Sequence, residues 1–268
     1  MKQKNLEYLK DQVKYTGFGE GLENDLIQKM QDGNTEFKLI YETKYGNDTV
    51  NATLNFSQSK QSDMYFFNSY HVSVQKADEA EAMEQTFYIN KGNNITLKEA
   101  YNLMNGRSVN KDLTNKEGEI YNTWLQMDFK TSDDKGNFRL KHYHENYGYD
   151  LEAALSKHPI KELTNPDFKN SLMDSLKKGN LQSVTFQIDG AEQKRYIEAN
   201  PQFKAINIYD SNMQRMDNRQ SKKEQQSEGE AQSAKQDSKK GKKQTPAEED
   251  SAEKPKAFRR RKHQQSVS

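Results

Sequence analysis

The sequence contains no cysteine, and this absence excludes several kinds of site at once. Disulfides, thiolate nucleophiles, zinc sites with cysteine ligands and iron–sulfur clusters all need that residue. Long apolar runs are also missing, since no stretch approaches the roughly 20 residues of a transmembrane helix. The first ten residues, MKQKNLEYLK, hold no apolar segment of the kind that a secretory signal carries. We therefore expect a soluble protein of a reducing compartment, with the cytoplasm as the predicted location.

Apolar residues are scarce throughout, at 32% of 268 residues with a mean hydropathy of −1.20. Much of the deficit lies at the C-terminus, where 211–268 holds 15 Lys or Arg and 9 Asp or Glu. Residues 1–210 therefore keep 26 basic and 31 acidic residues, for a formal charge near −5, while 211–268 is near +6. The net charge of +1 for the whole chain hides this asymmetry.

The segment 211–268 is predicted to be a disordered tail, because it is too poor in apolar residues to bury a core. Between 217 and 257 it has no aromatic residue, leucine, isoleucine or valine. A basic cluster, KPKAFRRRKH at 254–263, lies near its end without any acidic residue. Its lysines and arginines are the predicted contacts to nucleic-acid phosphates: Lys254, Lys256, Arg259, Arg260, Arg261 and Lys262. The alternative is a tail that only keeps the protein soluble.

Residues 1–210 predict an α+β domain built mainly on antiparallel sheet, as hairpins and a meander, with about five helices. Apolar and polar residues alternate along several segments that end in turn residues, as in strands. We predict strands at 36–42, 49–56, 64–76, 85–90, 120–130, 138–147, 183–188, 194–199 and 203–209. Helices are predicted near 3–14, 21–31, 96–105, 150–157 and 166–178. A possible boundary near 160 leaves open whether this is one domain or two small packed domains.

The segment from Met64 to Gly106 gives the clearest local predictions. Thr96 and Glu99 have the spacing of a capping box, which predicts the start of a helix that ends at Gly106. Gly92 and the two asparagines after it predict the preceding turn. Alternation along the first strand places one set of residues on the face expected in the core: Met64, Phe66, Tyr70, Val72 and Val74.

Several short segments resemble a known family, among them YTGFGE, DMYFFNSY, QTFYINKGNNITLKEAYNLMNGRSVNK, NYGYDLEAAL and IEANPQFKAINIYD. Together they resemble an uncharacterised group from Bacteroidota, described as a domain of unknown function and often encoded on conjugative or other mobile elements. The resemblance spans roughly residues 1–210. It implies an accessory gene of a mobile element, and it implies no catalytic or binding residues.

Few residues suggest chemistry. His142 and His144 would share one face of a strand and could hold a metal, but no further ligand has a fixed position, so solvated histidines are favoured. Gly17, Gly19 and Gly21 are interpreted as a connector between helices, because the lysine of a phosphate loop is missing. Asp133 and Asp134 are interpreted as turn residues, and His71 and His158 belong to no recognisable triad. No catalytic residue, metal or cofactor is predicted.

The aromatic residues leave two interpretations open. Tyr65, Phe67 and Tyr88, with Tyr143, Tyr147 and Tyr149, could form a stacking platform for single-stranded nucleic acid. The favoured alternative is that 14 Tyr and 12 Phe fill a core that has few aliphatic residues. Two functions therefore remain: a non-enzymatic accessory or adaptor protein that binds another protein, or a nucleic-acid-associated protein that uses the basic cluster.

Overall fold

The structure, a computed structural model, describes residues 3–90 and 93–216. Gly92 of the predicted turn and the basic cluster at 254–263 lie outside the described residues. The described part forms five α-helices and three antiparallel sheets, so the α+β prediction is confirmed. The helices are Gln3–Val13 (α1), Glu23–Gln31 (α2), Leu97–Met104 (α3), Leu151–Leu155 (α4) and Pro166–Lys177 (α5). Among the described residues, every helix is too short or too polar to cross a membrane.

The ten described strands run in sequence order within each sheet. The first sheet holds Glu36–Tyr45 (β1), Asp48–Gln58 (β2), Tyr65–Gln75 (β3) and Met83–Tyr88 (β4). The second sheet holds Val109–Thr114 (β5), Ile120–Ser132 (β6) and Phe138–His144 (β7). The third sheet holds Gln182–Ile188 (β8), Ala191–Asn200 (β9) and Ala205–Tyr209 (β10). Both β4 and β7 are therefore edge strands, each paired on one side only.

The predicted capping box at the start of α3 is present. The Thr96 side chain accepts a hydrogen bond from the Glu99 backbone N–H at 3.4 Å, and the Glu99 carboxylate accepts one from the Thr96 N–H at 2.8 Å. Glu99 also forms an ion pair with Lys111 of β5 at 2.8 Å, which ties the helix start to the second sheet. The cap therefore fixes both the first residue of α3 and its position against β5.

A bulge in β3 overturns the predicted core face of that strand. Phe67 lies opposite Phe56 and Ser69 lies opposite Asn55, so Asn68 has no partner across the pair. One extra residue reverses the alternation of side chains between the two faces. Phe67 is consequently buried, whereas Phe66 is 45% exposed. The prediction that Phe66 belongs to the core is wrong, although Tyr70, beyond the bulge, is buried as expected.

The strand β5 was not predicted. Its sequence, VNKDLT, buries only Val109 and Leu113, and the polar residues between them are typical of a loop. An amide pair replaces apolar packing across the strands, because Asn110 and Asn122 donate to each other's side-chain oxygens at 2.7 and 3.0 Å. The signal for this strand is therefore a cross-strand contact, which single-strand alternation does not reveal.

Two hydrophobic clusters stabilise the described residues, which lie in one compact unit. The larger cluster joins the first and second sheets to α1, α2 and α3. The smaller one joins the third sheet to α4 and α5, and it also takes in Trp124 from the opposite face of β6. Because it contains Leu151 and Leu155 as well, this second cluster begins before the boundary considered near 160.

The folded chain continues past residue 210, where the tail was predicted to begin. Arg215 pairs with Tyr209 of β10, and the Met216 backbone N–H donates to the Ile208 carbonyl at 2.8 Å. The Met216 side chain packs against the second cluster. The predicted start at 211 is therefore wrong, since residues 211–216 fold back onto the third sheet.

Candidate functional site

The predicted aromatic platform does not assemble. Tyr65 and Phe67 are 4% and 3% exposed, and the Phe67 ring stacks on Phe56 at 4.9 Å between centroids. Neither ring can stack on a nucleotide base, so this part of the platform prediction is wrong. Tyr149 packs edge-on against Trp124 at 5.2 Å and donates its hydroxyl to the Ala205 carbonyl.

Tyr88 is the exception, because its ring is 46% exposed at the end of β4. The Lys135 ammonium lies 5.5 Å from the centre of this ring and donates to the Tyr88 hydroxyl at 3.1 Å. Tyr147 is also partly exposed, but Lys204 covers its ring at 4.9 Å and Tyr143 packs against it at 5.0 Å between centroids. Tyr88 therefore lies apart from the other aromatic residues of the predicted platform.

His142 and His144 share a face of β7, as predicted. Their rings are nearly parallel, at 27°, with centroids 5.8 Å apart. Partial burial, and then the proximity of His144, lower the pKa of His142. Within 3–90 and 93–216, no three His, Cys, Asp or Glu side chains come together as a metal site would require.

The other predicted polar sites have structural roles. Asp133 accepts hydrogen bonds from the backbone N–H groups of Lys135 and Asn137, both at 2.9 Å, which confirms the turn and lowers the pKa of Asp133. Gly17 and Gly19 have positive φ angles of 101° and 68° between α1 and α2, as a connector requires. His71 lies on the solvent side of β3, where its ring is 3.1 Å from the Thr86 hydroxyl.

The edge strands β4 and β7 meet through side-chain amides instead of a backbone ladder. The Gln85 amide donates to the Phe138 carbonyl at 3.2 Å and accepts from the Phe138 N–H at 2.8 Å. The Asn137 side chain accepts from the Thr86 N–H at 2.8 Å. Both amides are largely buried, at 5% exposure for Gln85 and 9% for Asn137. These contacts join the two strands at the start of β7, near Phe138.

Next to this junction lies a cavity of about 470 Å³, here called the β4–β7 cleft. Its walls combine apolar and polar side chains from the two strands and from the loop before α3: Phe87, Tyr88, Asn90, Ile95, Arg139, Leu140 and His142, among others. A second cavity of about 570 Å³ lies at the far end of β7, beside His144, Tyr121 and the 76% exposed Ile120. His142 lines the first cavity and His144 the second, whose other walls come from β5, β6 and the residues after β7.

The backbone of each edge strand faces the β4–β7 cleft at alternate residues. Just after β4, the Ile89 N–H donates to the Asn68 carbonyl of β3, so the backbone groups of odd-numbered residues bond to β3. The backbone groups of Thr86 and Tyr88 therefore face away from β3, toward the cleft. In β7 the Phe138 N–H and C=O both bond to Gln85, on the side away from β6. By alternation along the strand, the backbone groups of Leu140, His142 and His144 face the same side. Beyond Phe138, β7 therefore presents a row of backbone donors and acceptors to the cavity.

Edges of the third sheet are covered. The Gln187 N–H of β8 donates to the Pro159 carbonyl at 2.9 Å, and the Thr185 N–H donates to the Glu162 carboxylate at 3.0 Å. On β10, residues 211–216 close the outer side through the Met216 N–H. The outer edge of β1 carries charged side chains at most of its outward positions, which is a common protection against strand pairing. The edge of β7 lacks a comparable cover from the described part of the chain.

Charge differs between the two cavities. The β4–β7 cleft is lined by Arg139 and by the Asp133 carboxylate, and Lys135 lies beside it, on the Tyr88 hydroxyl. Neither Lys135 nor Arg139 forms a salt bridge with a described carboxylate, whereas Lys141, on the same face of β7 as Arg139, pairs with Asp128 at 3.0 Å. The second cavity instead carries Asp112 and Glu145. A ligand along β7 would therefore meet a small net positive charge near the β4–β7 cleft and negative charge near His144.

Sequence reasoning missed most of this surface. In the sequence, Gln85 and Asn137 resemble ordinary polar residues of a strand and a turn. Their role comes from contacts with distant residues: Gln85 with Phe138, 53 residues away, and Asn137 with Thr86, 51 residues away. Ile120 gives the one local signal, as an apolar residue at a strand start next to charged residues.

No family model, curated protein or solved structure matches this chain. The resemblance to the Bacteroidota group therefore stays a prediction. Function must therefore be inferred from the geometry of β7 and of the two cavities next to it.

Proposed function

We propose that this protein is a non-enzymatic accessory protein of a mobile element, an adaptor that binds another protein through the β4–β7 cleft and the free edge of β7. The observation that carries the proposal is the edge of β7 beyond Phe138, which no other described residue covers, next to the β4–β7 cleft, whereas the edges of the third sheet are closed. The place in a mobile element rests on the resemblance described above.

An uncovered strand edge presents donors and acceptors that another chain can satisfy, and proteins normally block such edges. The apolar side chain of Leu140, beside this edge, would gain from removal of its surface from water. Backbone pairing and apolar burial together favour a polypeptide ligand over a small polar molecule.

Site-specific cross-linking in the native host tests this proposal. A photoreactive benzoylphenylalanine would replace His142, which is exposed on β7, in the full-length protein. The matched control carries the same residue at Glu42, which also lies on an edge strand. We expect a discrete protein adduct from position 142 and none from position 42. Failure to form an adduct at 142, or the same adduct from both positions, would contradict the proposal.

A second function, nucleic-acid binding, is favoured by one observation on the sequence. Six lysines and arginines lie between 254 and 262 without an acidic residue, while residues 1–210 carry a net negative charge. Binding by this route would depend on the basic cluster and not on the sheets, and it is compatible with an adaptor that also contacts DNA or RNA.

A further inference from the structure

We infer that the partner contributes an extended peptide, which adds as a fourth strand to the second sheet along Leu140–His144. This inference rests on the proposed protein-binding function and narrows it to one mode of recognition. Strand addition uses main-chain hydrogen bonds for affinity and alternate side chains for specificity.

The backbone of β7 already shows how such a ligand would be held. At Phe138, the Gln85 amide donates to the carbonyl and accepts from the N–H, which is the pair of bonds that an added strand makes. The same outward geometry recurs at Leu140, His142 and His144, about 7 Å apart along the strand. An extended peptide has the same spacing between alternate residues, so it can satisfy three successive positions.

Side chains of the added strand would reach the β4–β7 cleft at one end and His144 at the other. The distance from Leu140 to His144 along β7 is about 13 Å, which matches peptide residues four positions apart. One side chain would then enter the β4–β7 cleft near Phe87 and Ile95, and the other would lie beside His144. Between them, a residue of the same face would lie over the paired rings of His142 and His144. We therefore expect apolar residues at alternate positions.

Charge differs between the two ends of the bound segment. Arg139, together with Lys135 beside Tyr88, outnumbers Asp133 and favours an acidic residue at the β4–β7 cleft, whereas Asp112 and Glu145 disfavour one near His144. A bound peptide should therefore carry Asp or Glu at one end of its apolar core and Lys, Arg or a neutral residue at the other.

The occupant should be a separate protein and not the C-terminal segment of this chain. Residues 217–257 contain no aromatic residue, leucine, isoleucine or valine, and 258–268 adds only Phe258 and Val267, which are nine positions apart. No stretch of 217–268 therefore alternates large apolar residues as the edge of β7 requires.

The test uses a phage-displayed library of random linear dodecapeptides, selected on the full-length protein. Enriched sequences should alternate apolar residues and carry an acidic residue at one end only. Their affinity would then be measured by fluorescence anisotropy against three variants. His142→Pro removes the outward N–H from an exposed edge position that tolerates proline, His142→Ala keeps that N–H, and Glu42→Pro places the same change on β1.

We expect His142→Pro to weaken binding about tenfold or more, because it removes a hydrogen bond and blocks the edge sterically. Glu42→Pro should change the affinity by less than about threefold, and His142→Ala, which loses the ring but keeps the N–H, should bind about tenfold more tightly than His142→Pro. A second measurement does not depend on the folding of any variant: N-methylation of the peptide at alternate residues should abolish binding in one register and spare it in the other. Equal binding by methylated peptides of both registers would overturn the inference.

Other outcomes are equally decisive. No enriched peptide on the wild-type protein, or equal affinity for His142→Pro and His142→Ala, would overturn strand addition. Binding that appears only after removal of residues 217–268 would identify the chain's own segment as the occupant and would also overturn it. If the cross-linked adduct forms at position 142 but these tests fail, the adaptor function stands and only the mode of recognition is wrong.

Discussion

Phe66 and Phe67 are neighbours in the chain but lie in opposite environments, and the bulge at Asn68 is the cause. Replacing Phe67 by Ala should cost about 3–5 kcal/mol of unfolding free energy, as for other buried aromatics. Phe66→Ala should cost less than about 1 kcal/mol, because the ring is largely exposed. Thr96→Ala, which removes the helix cap, should fall between them at about 1 kcal/mol. Denaturant unfolding that places Phe66→Ala above Thr96→Ala would contradict the bulge.

Gly179 follows α5 where that helix meets α3, and two effects restrict it to glycine. Its φ is +78°, and an added Cβ would lie 2.9 Å from the Val109 side chain and 3.0 Å from the Ser108 carbonyl. Asn102 fixes this junction, since its buried amide donates to the Lys178 carbonyl at 2.7 Å. Gly190, at φ +76° with open space around it, is the matched control.

Gly179→Ala should therefore destabilise the protein by about 1–3 kcal/mol more than Gly190→Ala, because overpacking adds to the same backbone strain. Thermal and denaturant unfolding of the two variants would measure this difference. Equal losses would mean that the α3–α5 junction is looser than the contacts of Asn102 indicate.

His158 makes stability depend on pH. Burial, and then the charge of Lys157, lower the pKa of His158, and its ring lies 6.1 Å from that of Phe186. The unfolded chain, with a pKa near 6.5 for histidine, therefore binds more protons than the folded protein just below that pH. The stabilisation is complete above pH 6.5 and is lost as the pH falls toward the lowered value. His142 contributes in the same direction.

His158→Gln should flatten the fall in unfolding free energy between about pH 7 and pH 5. Denaturant titrations of the wild-type protein and the variant across this range would measure the slope. If the slope of unfolding free energy against pH is unchanged in the variant, groups other than His158 cause the pH dependence.

At the scale of elements, local signals predicted all five helices, because caps and stop residues act within a few residues of the chain. Thr96 with Glu99, Asp150, and Asn165 with Pro166 each cap a helix as expected. Strand edges follow a different rule. The bulge in β3, the strand β5 and the junction of Gln85 with Phe138 depend on partners elsewhere in the sequence, so alternation within one strand could not predict them.

The segment 211–216 gives a prediction about the third sheet. A protein ending at residue 210 should be less stable than one ending at Met216 by about 2 kcal/mol, because it loses the Met216 side-chain packing and the bonds that cover β10. Unfolding free energies of the two truncated proteins would measure the difference. If both match, the segment adds nothing to the fold and the boundary at 210 is adequate.

For the whole molecule, the charge asymmetry predicts how nucleic acid would bind. Removing residues 217–268 takes away 14 of the 15 Lys and Arg that follow residue 210, and most of the binding should trace to Arg259–Lys262. The truncated protein should keep its stability and lose nonspecific binding, which in the intact protein should weaken steeply with salt. Gel shifts with single- and double-stranded DNA at two salt concentrations would compare the proteins. Equal binding by both would place the site on the folded part.

If the free edge of β7 receives a strand, amide hydrogen exchange will show it directly. The full-length protein would be compared with and without a selected peptide, with exchange resolved at single residues by NMR. Exchange should slow at Leu140, His142 and His144, whose N–H groups face outward. The intervening amides of Lys141 and Tyr143, already bonded to β6, should change little. Protection along β1 instead, or unchanged exchange at all three outward amides of β7, would contradict the claim.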